Sequence, residues 1–129
     1  MSDELKIAVR KQPPQFQPGE EIAGAAQWQL KHPPKTVEVR LLWRTLGRGI
    51  EDACVVSTVQ FDAPLADDTH PFTLVAPDAP YSFAGSLITL QWSLELVALP
   101  SKKNAHIDIV IAPGGAPVDL RSETAPKIA

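Results

Sequence analysis

The chain has little of what a secreted, membrane-spanning or nucleic-acid-binding protein needs. Its 129 residues include one cysteine, Cys54, so no internal disulfide can form. No apolar run approaches the roughly 20 residues of a membrane helix, and the first residues lack the basic and then apolar order of a secretory signal. The formal net charge of −3 argues against a nucleic-acid or anionic-membrane surface, which requires a basic excess. We therefore expect a cytoplasmic protein with a free thiol, no transmembrane segment and no nucleic-acid partner.

Glycine is also scarce relative to proline, with 7 glycines against 13 prolines. Gly114-Gly115 follows the last clear strand but precedes no helix, so no phosphate cradle is expected there. The prolines fall between periodic segments, where a missing backbone N–H costs nothing, and this placement is typical of an all-β chain. We expect one domain over residues 1–121 and a flexible tail over residues 122–129.

The strongest positive signal is an alternation of side chains within residues 81–98. Apolar residues occupy every second position from residue 88 to residue 98, and most positions between them are polar. A helix would scatter these residues around its circumference, whereas a strand places them on one buried face. The apolar positions are Ile88, Leu90, Trp92, Leu94, Leu96 and Ala98.

The same alternation predicts six or seven further strands. Their expected inner faces are Leu5, Ile7 and Val9; Ile22, Gly24, Ala26, Trp28 and Leu30; Val37, Val39, Leu41 and Trp43; Val55, Val59 and Phe61 within residues 52–62; Phe72, Leu74 and Ala76; Ile107, Ile109 and Ile111; and an edge strand at residues 118–120. Cys54 and Val56 leave the register of the strand at residues 52–62 ambiguous. Seven to eight strands without a helical segment predict an all-β fold, an antiparallel two-sheet sandwich of immunoglobulin-like type. All three tryptophans fall on inner faces, which favours core packing over ligand stacking. The small residues Gly24 and Ala26 predict a bulky neighbour over the second strand.

No catalytic, cofactor or metal motif is present. Asp68 with His70, and His106 with Asp108, each offer two ligands, whereas a metal site needs three or four, so we expect these residues to be solvated in loops. Nothing local activates Cys54, and Ser82 is not in the G-x-S-x-G context of a hydrolase nucleophile. We expect no enzymatic activity and no cofactor.

Three ordered segments resemble the arrestin-like family. Phe16-x-Pro18-Gly19-Glu20-x-Ile22-x-Gly24 resembles the opening of an arrestin-like lobe. Phe72-Thr73-Leu74 and then Pro80-Tyr81-Ser82-Phe83-Ala84-Gly85 resemble the family's segment before a long strand with a central aromatic residue, here Trp92. Arrestins and the related bacterial sporulation-control and sorting-complex proteins have two such lobes, and this chain has room for one. The resemblance implies a non-catalytic β-sandwich that binds other proteins.

The outer face of the third long strand is the candidate interface. Arginine and apolar anchors are enriched at protein interfaces, and this face alternates the two types. Its residues are Arg40, Leu42, Arg44, Leu46 and Arg48. Surface ion pairing with nearby acidic residues is the alternative explanation for the arginines. Two hypotheses for the function follow. The first is a protein-interaction module of adaptor or scaffold type, with an unidentified protein partner and a homodimer as the default assembly. The second is a small-ligand- or carbohydrate-binding sandwich, or an accessory subunit of a larger complex.

Overall fold

Ten β-strands form the described part of the chain, which in this computed structural model comprises residues 3–47, 52–84, 88–115 and 118–119. They are β1 (Glu4–Val9), β2 (Gln15–Phe16), β3 (Glu21–Gln29), β4 (Thr36–Gly47), β5 (Ala53–Asp62), β6 (Asp67–Val75), β7 (Phe83–Ala84), β8 (Ile88–Leu99), β9 (Lys103–Ile111) and β10 (Val118–Asp119). A single 3₁₀ turn at Pro113–Gly115 is the one helical element within these ranges. No helix in the described ranges is long and apolar enough to cross a membrane.

The strands form two sheets that pack face to face. The small sheet has the order β1-β3-β6, and the large sheet has the order β10-β7-β8-β4-β5. Strand β9 pairs with β8 and, at its C-terminal end, also pairs with β2. All pairs of long strands are antiparallel, whereas β2 with β9 and β7 with β10 form short parallel pairs. The predicted all-β, two-sheet sandwich is confirmed, with seven long strands and three strands of two residues.

The core is built from the inner faces that the alternation predicted. Trp28 and Trp92 are fully buried, one in each sheet, and Trp43 is partly buried against the same core. A buried indole N–H needs an acceptor. Trp28 Nε1 donates to the Leu65 carbonyl at 2.8 Å, and Trp92 Nε1 donates to the Pro80 carbonyl at 2.9 Å. Each tryptophan thus fixes one loop to the core.

Gly24 lies where two parts of the small sheet approach most closely. It pairs with Phe72 across β3 and β6, and the Phe72 ring lies over it. A Cβ atom added at Gly24 would lie 2.7 Å from Phe72 Cζ and would also collide with the Ala8 carbonyl oxygen. The bulky neighbour expected over Gly24 is therefore Phe72.

Two details of the predicted strands are corrected by the structure. The β4–β5 register shifts between Leu41 and Leu42, because Val56 is an extra residue in β5. This β-bulge turns Val55 away from the core, opposite Leu42, and Val55 is 52% exposed, so its expected inner position was wrong. Strand β6 begins at Asp67 and not near Phe72.

The expected edge strand at residues 118–120 is present as β10 at Val118–Asp119, paired with β7, and Leu120 lies outside the described residues.

We expect Trp92→Ala to lower the free energy of unfolding by about 3–5 kcal/mol, because it removes a large, fully buried ring. Urea titration measures the change. Trp43→Ala is the matched control and should cost less, since its ring is only partly buried. An equal or larger loss from Trp43→Ala would contradict this assignment of the core.

Gly24→Ala should lower the free energy of unfolding by about 1–3 kcal/mol, because the new methyl group forces Phe72 and the β1 backbone apart. Ala25→Gly, at the adjacent exposed position, should cost less than about 1 kcal/mol. If thermal or urea denaturation shows no loss for Gly24→Ala, the close approach of β1, β3 and β6 is not a constraint on the fold.

Candidate functional site

The candidate interface lies on the outer face of β4, which is positioned by its two neighbours. Strand β4 lies between β5 and β8, so its inward residues pack in the core and its alternate residues face outward. Arg40, Leu42, Arg44 and Leu46 share this outer face. Arg48, the fifth predicted interface residue, lies outside the described residues.

Arg40 is matched by charges within its own sheet. Its Nε lies 3.0 Å from Glu38 Oε1, and its Nη1 lies 3.6 Å from Glu95 Oε1 on β8. Its side chain is 29% exposed. Ion pairs at partly exposed positions contribute little to stability, but they fix the guanidinium and neutralise its charge. The alternative explanation of surface ion pairing therefore applies to Arg40, although with Glu95 as a partner that the sequence did not suggest.

Arg44 is matched less well. Its Nη2 lies 3.8 Å from Asp108 Oδ1 on β9, and the same oxygen accepts a hydrogen bond of 2.9 Å from Ser93 Oγ. Its Nε is buried and has no hydrogen-bond partner among the described residues. A buried donor without an acceptor is destabilising, whereas the exposed Nη groups of Arg44 are open to further acceptors.

Apolar side chains lie next to the two arginines on the same face. Leu42 is partly buried, Leu46 is 37% exposed, and Val55 lies opposite Leu42 on β5. The bulge at Val56 places Val55 on this face, and no sequence pattern identified it because Cys54, Val55 and Val56 are all apolar. We call the set Arg40, Leu42, Arg44, Leu46 and Val55 the outer patch.

A second cluster lies at the side of the sandwich where β5 meets β6. The His70 imidazole stacks on Trp28, with ring centroids 5.4 Å apart, and on Phe61, with centroids 4.7 Å apart. His70 Nε2 and Asp68 Oδ2 share a hydrogen bond of 2.9 Å. Both residues lie on β6, so the expectation that they are solvated loop residues was wrong.

This cluster borders an open cleft of about 390 Å³, lined in part by Gln60, Phe61, Asp62 and Leu65. Burial, the largest influence, raises the pKa of the Asp68 carboxyl. Hydrogen bonds from His70 and from the Thr69 backbone N–H together outweigh burial and hold that pKa below its ordinary value of 3.8. The stack of Phe61 on His70 thus joins the two sheets, and the hydrogen bond to Asp68 holds the imidazole in place within β6.

The remaining candidates for chemistry are dispersed. Cys54 is exposed, and its Sγ lies 3.9 Å from the Val55 carbonyl oxygen. Ser82 is buried and accepts a hydrogen bond of 3.1 Å from the Ile111 backbone N–H, so its hydroxyl serves the fold. Within the described ranges, no three histidine, cysteine or acidic side chains converge as metal ligands would. His106 and Asp108 lie on β9, so the expectation that they are loop residues was wrong for this pair as well, and Asp108 contacts Ser93 and Arg44.

The sandwich is similar to a known structure with the same fold. It superimposes on the sporulation control protein Spo0M from Bacillus subtilis with a TM-score of 0.59 and 13% sequence identity, over 87% of this chain and 50% of that chain. This likeness confirms the arrestin-like fold that the ordered motifs predicted, and the chain spans half the length of that protein. No protein-family model matches the chain, and no curated protein matches it in sequence.

The depressed pKa of Asp68 predicts how stability depends on pH. A carboxyl whose pKa is lower in the folded state stabilises the fold above its unfolded pKa, and this contribution is lost as the pH falls through the folded pKa. Asp68→Asn should therefore be less stable than the wild type at neutral pH, and the gap should close at pH values well below 3.8.

The matched control is Asp67→Asn on the exposed face of the same strand, which should leave stability nearly unchanged across the titration. Thermal denaturation at a series of pH values compares the three proteins. A gap that stays constant down to the lowest pH would show that the effect of Asp68 is steric and not electrostatic.

Proposed function

We propose that the chain is a non-catalytic protein-interaction module of adaptor or scaffold type, acting in the cytoplasm, in which residues 1–121 form one arrestin-like lobe. The outer patch is the surface that binds the partner. The single observation that carries the proposal is that Arg44, whose side chain is 39% exposed and whose Nη2 lies as far as 3.8 Å from Asp108 Oδ1, lies beside apolar side chains that are open to solvent.

The chemistry of the outer patch defines the kind of partner that fits it. Leu46 and Val55 present exposed apolar surface, and Arg44 presents donors in a fixed planar group. Arg40 is already neutralised by Glu38 and Glu95, so it frames the surface without adding a free charge. A protein segment that carries an apolar side chain next to a carboxylate would bury the leucine and valine surface and supply an acceptor to Arg44.

Binding of a small ligand or carbohydrate has less support. That hypothesis needs an aromatic ring exposed on a sheet, and Trp28 and Trp92 are fully buried. Trp43 faces the core beside Trp92 and is only partly exposed. The cleft beside His70 is open, and the stacked rings that border it are already packed against one another.

Affinity capture from the native host, with the tagged full chain as bait, tests the proposal. Leu42→Gln with Leu46→Gln removes the apolar centre of the outer patch, and Arg44→Glu reverses its charge. We expect each variant to lose the captured protein by tenfold or more, because hot-spot residues at an interface each contribute about 2 kcal/mol or more.

The matched control is Lys6→Glu with Arg10→Glu, a double charge reversal on the exposed face of the small sheet, which should retain the captured protein. Circular dichroism confirms that each variant is folded. Retention of every captured protein by both patch variants would show that the outer patch is not the binding surface.

A further inference from the structure

The free edge of β5 is a feature that the proposed function does not use. Strand β5 ends the order β10-β7-β8-β4-β5, so one of its edges pairs with β4 and the other pairs with no described strand. It spans ten residues, and neither a proline nor a charged residue occurs between Ala53 and Phe61. Four of its residues are β-branched, namely Val55, Val56, Thr58 and Val59. A long, uncharged edge of this kind readily pairs with another strand.

The other long edges in the described part of the sandwich carry the devices that prevent such pairing. Strand β6 has Pro71 at its centre and the polar residues Asp68 and His70 facing inward. Strand β1 carries Glu4 and Lys6, which form an ion pair.

Strand β9 is paired at one end with β2, and at the other end the Lys103 ammonium contacts the Asp3 carboxylate next to β1. The edge of β5 has none of these features, and the one device that it carries is the bulge at Val56.

We propose that β5 pairs with β5 of a second copy of this chain, antiparallel and around a two-fold axis at Thr58. This register pairs nine of the ten residues of the strand, leaves only the bulge residue Val56 without an opposite residue, and places outward residues opposite outward residues on both sides of the bulge. Thr58 lies opposite Thr58 of the partner subunit, a favourable cross-strand pair. The remaining pairs are Ser57 opposite Val59, Val55 opposite Gln60, Cys54 opposite Phe61 and Ala53 opposite Asp62.

The charges in this register are the reason why a second copy of the chain fits the edge of β5. In this register no two charged residues are opposite each other, and Asp62 of the partner subunit lies beside Ala53, the smallest side chain of the strand. Arg44 lies opposite Ala53 on β4. Arg44 already reaches across β8 to Asp108 on β9, so the same length of side chain, turned the other way, reaches across Ala53 to that carboxylate. The two-fold axis repeats this ion pair.

Sedimentation velocity on the full chain tests the assembly. We expect a mass of two chains, and we expect Val56→Lys, at an exposed position of the edge, to weaken the dimer by at least tenfold. Val75→Lys is the matched control, because Val75 is also an exposed valine and lies on the protected edge strand β6, and it should leave the dimer intact. A monomer at the highest soluble concentration, or a dimer unaffected by Val56→Lys, overturns the proposal.

Cysteine cross-linking tests the register independently of any variant that weakens the dimer. Directly opposite residues in an antiparallel pair have Cα atoms about 4.5–5.5 Å apart, within the range that a disulfide spans. In a Cys54→Ser background, Thr58→Cys should form a linked dimer under mild oxidation, and Thr69→Cys, exposed on β6, should not. Linkage at position 69 in place of position 58 overturns the proposal.

Charge exchange supplies a third measurement. Asp62→Arg should weaken the dimer, and the double variant Arg44→Asp with Asp62→Arg should restore it. Failure of the double variant to restore the dimer overturns the ion pair and the register.

The outcome for the dimer is separable from the outcome for the proposed function. A chain that is monomeric and still captures a protein through Leu42 and Leu46 refutes only the dimer. A dimer whose outer patch captures nothing refutes only the adaptor.

Discussion

The requirement that a buried indole N–H must find an acceptor governs the closure of the sandwich. Trp28 and Trp92 bring large rings into the core from opposite sheets, and no sheet ladder accepts their N–H groups. The Leu65 carbonyl accepts one and the Pro80 carbonyl the other, so both loops are held at the core boundary. The loop at residues 63–66 carries the chain from the large sheet to the small sheet, so the bond to Leu65 fixes where β5 ends and β6 begins. The stack of Phe61 on His70 follows from that placement.

The bulge at Val56 has the next largest consequence. Without it, Val56 would lie opposite Leu42, and Val55 would face the core opposite Trp43. With it, Val55 lies opposite Leu42 and joins the outer patch. The bulge also strengthens the local twist of a strand whose outer edge pairs with no described strand. One extra residue therefore shapes both the candidate interface and the edge next to it.

Sequence reasoning predicted the fold well where polar and apolar residues alternate cleanly, as in β8 and β4. It failed at Val55, because Cys54, Val55 and Val56 are all apolar and a period of two has no contrast to follow there. It failed at Asp68 and His70 because polar residues on an inner face look like loop residues until their stacking partners are known. The residues of the outer patch on β4 were predictable from alternation, whereas the partners of Arg40 and Arg44 come from β8 and β9 and depend on strand order.

The two proposals share Arg44, because in the dimer its guanidinium pairs with Asp62 of the partner subunit and is no longer free for a carboxylate of another protein. The apolar side chains of the outer patch stay open, and geometry links them to the dimer. A two-fold axis perpendicular to the large sheet leaves both outer patches on the same face of one continuous sheet. The two β4 strands are then three strand spacings apart, about 14 Å. A partner that carries two copies of the binding segment would engage both patches, and the second contact would form at a high effective concentration without any new contact chemistry. A monovalent partner would gain nothing from the dimer. The affinity of the dimer for a bivalent version of the segment, divided by its affinity for a monovalent version, therefore depends both on pairing at the edge of β5 and on the outer patch.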